Sequence, residues 1–162
     1  MKRFLCILFF CLAACGAWAN VYFRHLGKAE GLSQISVLSI CQDEAGRMWF
    51  GTLEGLNCYD GNRITVYKPS NVPYVEAFGN QTHDLISDKA GSLFFISDGA
   101  LLRYDLYTER FEDTRLRNVT ALCNKDGLIY AACRDTLLGW DKAGKKFRIK
   151  GRTHSGARIT CL

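Results

Sequence analysis

From Ser33 onward the chain is a succession of apolar runs four to seven residues long, each closed by glycine or an Asx-type turn. Ile35 to Cys41, Arg47 to Thr52, Leu56 to Tyr59 and Ile64 to Lys68 are rich in β-branched and aromatic residues, a pattern that predicts four short strands. Asp43-Glu44-Ala45-Gly46, Leu53-Glu54-Gly55 and Asp60-Gly61-Asn62 lie between them and predict tight turns. The inner runs do not alternate cleanly between apolar and polar residues, which is how strands covered on both faces read. A helix would need apolar residues at i, i+3 and i+4 across ten or more positions, and the turn residues interrupt every such window.

The pattern repeats. When Gly46, Gly91 and Gly127 are aligned, leucine follows ten residues later in each copy, at Leu56, Leu101 and Leu137. An aromatic–Asp pair ends fourteen residues after each glycine: Tyr59-Asp60, Tyr104-Asp105 and Trp140-Asp141. The apolar runs Met48-Trp49-Phe50, Leu93 to Ile96 and Leu128 to Cys133 follow the glycines, and polar turns beginning at Gln42, Ser87 and Asn124 precede them. The glycines are 45 and then 36 residues apart, close to the spacing of about 40–50 residues found in four-stranded propeller blades.

The expected fold is therefore all-β: an incomplete β-propeller with blades at residues 33–68, 80–112 and 118–149, and the start of a fourth at 158–162. Val21 to Leu26 resembles the outer strand Ile64 to Lys68, and Arg158 to Leu162 resembles the inner-strand sequence Asn118 to Leu122. Both pieces read as orphan strands. Propellers usually have four to eight blades, so three would leave faces and edges open. The expectation is an N-terminal fragment of a longer protein, or a truncated gene product, whose first partners are the remaining blades.

The N-terminus adds a compartment. Lys2 and Arg3 precede the apolar run Phe4 to Ala14, and Ala17-Trp18-Ala19 supplies a small-x-small cleavage pattern, so residues 1–19 read as a signal peptide. The run is shorter than the roughly twenty residues of a membrane span. Cleavage would fall between Ala19 and Asn20. Leu12-Ala13-Ala14-Cys15 offers a rival lipoprotein route that acylates Cys15, and retention of an uncleaved signal is a third outcome. The formal charge of +5 falls to about +3 once Lys2 and Arg3 are removed, too modest to suggest that this segment binds nucleic acid. Of eight cysteines, Cys6, Cys11 and Cys15 lie in the signal. Cys41, Cys58, Cys123, Cys133 and Cys161 have no C-x2-C spacing, and read as small buried hydrophobes or as one disulfide with the rest free.

The first copy also carries a resemblance. Gly31-Leu32-Ser33, Val37, Ile40, Asp43, Gly46, Trp49, Gly51-Thr52, Gly55-Leu56 and Tyr59-Asp60 resemble the two-component regulator propeller repeat. The later copies depart from it, with Phe94 and then Tyr130 at the tryptophan position, and Ile96-Ser97 and then Ala132-Cys133 for Gly-Thr. The resemblance implies the periplasmic sensor of a Bacteroidetes-type hybrid two-component histidine kinase. The implied parent has two stacked propellers, a β-sandwich domain, a membrane helix, and kinase, receiver and DNA-binding domains. It also implies an oligosaccharide ligand and signalling through a kinase outside this chain. Homodimerisation of the parent stays open, and contact with the membrane would come only through the signal, a lipid anchor or the downstream helix. The alternatives are an exported propeller enzyme acting on glycans, and a glycan-binding or scaffold protein lipid-anchored at the outer membrane.

No catalytic, cofactor or metal site is expected in this segment. His25, His83 and His154 lack ligand spacing. Asp43 to Trp49 resembles the Asp-box turn of sialidase-like propellers, and Asp60, Asp105 and Asp141 read as turn residues in preference to a ring of carboxylates. Lys142, Lys145, Lys146, Arg148, Lys150, Arg152 and Arg158 form a basic stretch without an acid, read as a solvated strand and loop, or as a rim for an anionic partner such as an acidic glycan. Trp140 reads as core, with sugar stacking as the alternative. The ligand-binding residues are not assignable from the sequence.

Overall fold

The computed structural model describes residues 22–69, 80–154 and 156–162. Ala19, Asn20 and Cys15, and with them the choice between signal cleavage and lipidation, lie outside the described residues. A single 3-10 turn, Lys28–Glu30, precedes twelve strands. These are β1 (Val37–Gln42), β2 (Met48–Thr52), β3 (Gly55–Tyr59), β4 (Ile64–Tyr67), β5 (His83–Ser87), β6 (Ser92–Ser97), β7 (Ala100–Asp105), β8 (Arg110–Arg117), β9 (Val119–Lys125), β10 (Leu128–Cys133), β11 (Thr136–Asp141) and β12 (Lys146–Arg152). They form three four-stranded antiparallel meanders, β1 to β4, β5 to β8 and β9 to β12, each a blade in sequence order. The inner strand β5 packs beside both β1 and β9, the propeller arrangement. The outer strands β8 and β12 run to Arg117 and Arg152, beyond the ends of the repeat alignment.

The register explains what the repeat is for. Cys41, Trp49 and Cys58 lie in one cross-strand row of blade 1, and Ser39, Gly51 and Leu56 in the next, on the same face. That face packs Trp49, Leu56 and Cys58 against Leu85, Leu93, Phe95, Leu102 and Tyr104 of blade 2. The opposite face of blade 2 carries Phe94, Ile96 and Leu101, which pack against Val119, Ile129, Ala131 and Trp140 of blade 3. Every residue of β6 and β7 is consequently buried, so their sequences show no alternation.

Two aromatic positions of the repeat are partners of one another across each seam. The aromatic three residues after the glycine points to the following blade, and the aromatic of the aromatic–Asp pair points back. Trp49 meets Tyr104 with ring centroids 5.6 Å apart, and Phe94 meets Trp140 at 5.1 Å in an edge-on contact. The terminal members behave as this rule requires. Tyr59 points away from blade 2, accepts a hydrogen bond from Arg24 at 3.0 Å and lies under its guanidinium. Tyr130 is only half-buried, whereas Trp49 and Phe94 are fully enclosed.

The seams are also stitched by backbone. Thr82 N donates to Thr52 O at 2.8 Å, and Val119 N to Gly99 O at 3.0 Å, so each inner strand enters by bonding the central hairpin of the blade before it. Ile159 N donates to Arg134 O at 2.6 Å in the same way, and Thr120 Oγ1 donates to Ile159 O at 2.6 Å. Residues 158–162 thus hold the entry position of a fourth inner strand. Neither they nor residues 22–26 form a ladder with the described residues. At the other end of the sheets, Asn124 Nδ2 donates to Ser87 O at 2.5 Å and the Lys89 ammonium to the carbonyl of Gln42. The outward face of blade 1 leaves Leu38, Ile40 and Val66 exposed, the first two on its inner strand and the third on its outer strand.

Gly51 sits at the tightest point of the first seam. A Cβ there would lie 2.5 Å from Ser39 Oγ and 2.6 Å from the Thr82 carbonyl oxygen, one of them backbone that cannot swing away. Gly51→Ala is expected to destabilise the protein by about 1–3 kcal/mol through this overpacking. Gly151→Ala, with nothing within 4 Å of the new carbon, should lie within about 0.5 kcal/mol of wild type. Denaturant midpoints of the two variants check the contrast, and equal midpoints would refute the packing argument.

Candidate functional site

The aspartates singled out by the repeat are used up by their own turns. Asp43 Oδ1 accepts from the amides of Ala45 and Arg47, both at 2.9 Å, and Oδ2 accepts from Arg47 Nε at 2.7 Å and Trp49 Nε1 at 2.8 Å. Burial alone would raise this carboxyl, but the bonds from Trp49 and Arg47 outweigh it and hold the group below its ordinary value. Asp88 Oδ1 repeats the pattern with Ala90 N at 2.8 Å and Ser92 N at 2.9 Å, and Asn124 Oδ1 accepts from Gly127 N at 2.9 Å. Gly46, Gly91 and Gly127 close these turns at φ values of 83°, 94° and 77°, where glycine alone is unstrained.

The second set behaves alike. Asp60 Oδ1 accepts from Asn62 N and Arg63 N, both at 2.9 Å, and Asp105 Oδ1 from Tyr107 N and Thr108 N, both at 3.0 Å. Asp141 accepts from Gly144 N at 3.2 Å and from Arg148 Nε at 2.7 Å. These three carboxylates belong to three separate hairpins and do not converge.

The remaining candidates divide. His25 and His154 are exposed, His83 is half-buried with Nδ1 3.6 Å from Asp84, and no cluster of three metal-ligating side chains occurs among the described residues. Cys41, Cys58, Cys123, Cys133 and Cys161 are free thiols, and burial pushes Cys41 up to about 12 and Cys58 to about 11. Trp140 is core against Phe94 and Phe147. Of the basic stretch, Lys142 to Arg152 follow the outer strand and its turn. Arg148 is held by Asp141, and Lys150 lies over Gly139. Arg158 departs from that group and goes elsewhere.

It lines a cleft of about 390 Å3 together with Asn118, Arg134 and Gly156. The cleft lies where the β10–β11 hairpin, the entry to β9 and the connection after β12 meet. The connection is a built turn: Thr153 N donates to Asp135 O at 2.9 Å, Thr153 Oγ1 to Ala157 O at 2.9 Å and Gly156 N to Thr153 O at 3.4 Å. Asn118 and Arg134 both adopt left-handed conformations, at φ 56° and 55°. Asp135, next to Arg134, accepts a hydrogen bond from Thr136 Oγ1 at 2.9 Å. Two arginines and an asparagine line the cleft, and no acidic residue is among its described lining. Arg134 was missed from the sequence because its partner in space is twenty-four residues away. The available signal was the hairpin pair Arg134-Asp135, where the earlier copies have Leu53-Glu54 and Asp98-Gly99.

Blades stacked face to face, with turns fixed by aspartate and a cleft among the connecting loops, define a β-propeller module that presents loops on rigid sheets. The family model described as two component regulator propeller matches residues 31–54, most of the first blade's inner half. Over 50 residues the chain is 42% identical to Histidine kinase P4 of Formosa agariphila, a match covering 31% of this chain and 4% of that protein. The extracellular domain of BT3049 from B. thetaiotaomicron, described as a hybrid two component system, superposes on 77% of this chain with a TM-score of 0.63 and 26% identity. The extracellular domain of BT4673 from the same organism superposes on 82% with a TM-score of 0.59 and 16% identity, a likeness of fold. The chain spans 19% of each of these two structures. No helix among the described residues is long and apolar enough to cross a membrane.

Proposed function

We propose that this chain forms part of the ligand-recognition propeller of an exported sensor, periplasmic in location, that binds an oligosaccharide and signals through a membrane histidine kinase beyond these residues. The observation that carries the reading is the superposition on the BT3049 extracellular domain at 26% identity, over most of the described blades. The signal pattern of residues 1–19 supports export, and the match to Histidine kinase P4 supports the kinase output. In this reading the segment recognises its ligand and leaves it chemically unchanged. The ligand acts by binding one arrangement of the sensor more tightly than another, since equal affinity for both would shift nothing.

Thermal melting of the intact exported region against a panel of oligosaccharides tests the proposal. The cognate class should raise the melting temperature, by the equivalent of about 2.7 kcal/mol at a hundred times its Kd. The same class should change autophosphorylation of the parent kinase in membranes. A folded protein whose melting no oligosaccharide moves would refute the oligosaccharide assignment. Turnover of one of the sugars would favour the propeller-enzyme alternative.

A further inference from the structure

We propose that the cleft between blade 3 and residues 158–162 takes an oxyanion, a carboxylate or sulfate group, with Arg134 and Arg158 as the paired cationic contacts. This rests on the reading of the propeller as a ligand-recognition module and names the chemistry of one contact.

Three observations support it. First, the two arginines are forced together. Ile159 N donates to Arg134 O at 2.6 Å, so the backbone of one arginine and the residue following the other are bonded directly. Two like charges springing from one junction repel, and an anion held between them removes that repulsion.

Second, neither side chain forms a hydrogen bond or ion pair with the described residues, while Arg47, Arg103, Arg117 and Arg148 each sit 2.7 Å from a carboxylate oxygen. Arginine is suited to bind carboxylate or sulfate through two parallel N–H groups, and both arginines line the same cleft. Asn118 also lines the cleft, and Gly156, at φ 65° with nothing within 4 Å of a would-be Cβ, keeps the wall low.

Third, the blades serve as each other's controls. The hairpin position of Arg134 is Leu53 in blade 1 and Asp98 in blade 2. The strand-entry position of Arg158 is Gln81 at the first seam and Asn118 at the second. All three seams make the same kind of entry hydrogen bond, so the fold requires a cation at neither place. Only the third seam has both.

The test is calorimetry on the intact exported region with five probes: a uronate trisaccharide, a sulfated disaccharide, the neutral counterpart of each, and inorganic sulfate. At least one charged probe should bind, more weakly as salt rises. Arg134→Gln and Arg158→Gln should each reduce its affinity roughly tenfold or more, with melting temperatures of the unliganded protein not lowered. Lys145→Gln, in the turn at the far end of β12, should leave binding unaltered. Charged probes that bind equally well to both arginine variants would overturn the proposal. Neutral sugars binding independently of both arginines would overturn it as well, while leaving oligosaccharide sensing intact. Inorganic sulfate binding that depends on both arginines, without any binding of sugars, would support the anion site and defeat the oligosaccharide reading.

Discussion

Phe94→Ala is expected to destabilise the protein by about 3–5 kcal/mol, among the largest losses from single truncations in the described blades. Phe94 is fully buried in the middle blade, with its ring edge-on to Trp140 at 5.1 Å and to Phe147 at 6.0 Å. Its removal leaves a cavity between two sheets that are themselves rigid ladders, so collapse can fill little of the space. The damage should be local to one seam. Amide exchange in β9 to β12 should accelerate far more than in β1 to β4, because the Trp49–Tyr104 contact of the other seam lies on the opposite face of blade 2. A double-mutant cycle with Trp140→Ala should give a coupling of about 0.5–1.5 kcal/mol for the ring pair. Phe50→Ala is the control: Phe50 is only half-buried and points away from blade 2, so about 1–2 kcal/mol is expected. Comparable losses for Phe50 and Phe94, or uniform exchange across all three sheets, would show that the seams are not the units of stability proposed.

This seam logic marks the boundary of what the sequence makes legible. Strands, turns and their period are written in local spacing, because each hairpin needs its glycine and its aspartate at fixed offsets. The boundaries of blade 1 differ from the expected ones by no more than two residues at any strand end. The pairing of Trp49 with Tyr104 and Phe94 with Trp140 was present as two recurring aromatic positions. That the first of one repeat meets the second of the next depends on which face each strand presents, and that requires the stacking order. Arg103 was hidden for the same reason. In sequence it interrupts an apolar strand; in the structure it is buried beneath blade 3 within 2.7 Å of Asp105 and Glu112, and over the Trp140 ring. The basic stretch ending at Arg158 reads as one feature along the chain. It separates in space because the chain turns at Thr153 and re-enters beside Arg134, a consequence of inter-blade hydrogen bonds that leave no local trace.

Asp43→Asn should cost roughly 3 kcal/mol at neutral pH, and the cost should shrink in acid. The buried carboxylate receives four donors, two of them the Arg47 guanidinium and the Trp49 indole, and it fixes the turn that aims Trp49 into the first seam. An amide keeps the shape but presents an N–H to at least one donor. Its single carbonyl oxygen cannot serve both oxygens' partners, and the guanidinium loses its counter-charge. The pH dependence follows from the direction of the shift. Burial raises the Asp43 carboxyl, but the bonds from Trp49 and Arg47 more than offset this, and its native value lies below the ordinary 3.8. A carboxyl with a depressed native value stabilises the fold fully above its unfolded value, and that contribution is lost as pH falls through the native one. The wild-type advantage over Asp43→Asn should therefore be constant from neutrality down to about pH 5 and then narrow steadily with further acid. Asp105 and Asp113 are also depressed, but they are present in both proteins and cancel in the difference. Urea unfolding of the pair at a series of pH values measures that difference directly. A gap that stays constant below pH 4, or widens, would mean that the charge of Asp43 does not hold the turn and that its shape alone does.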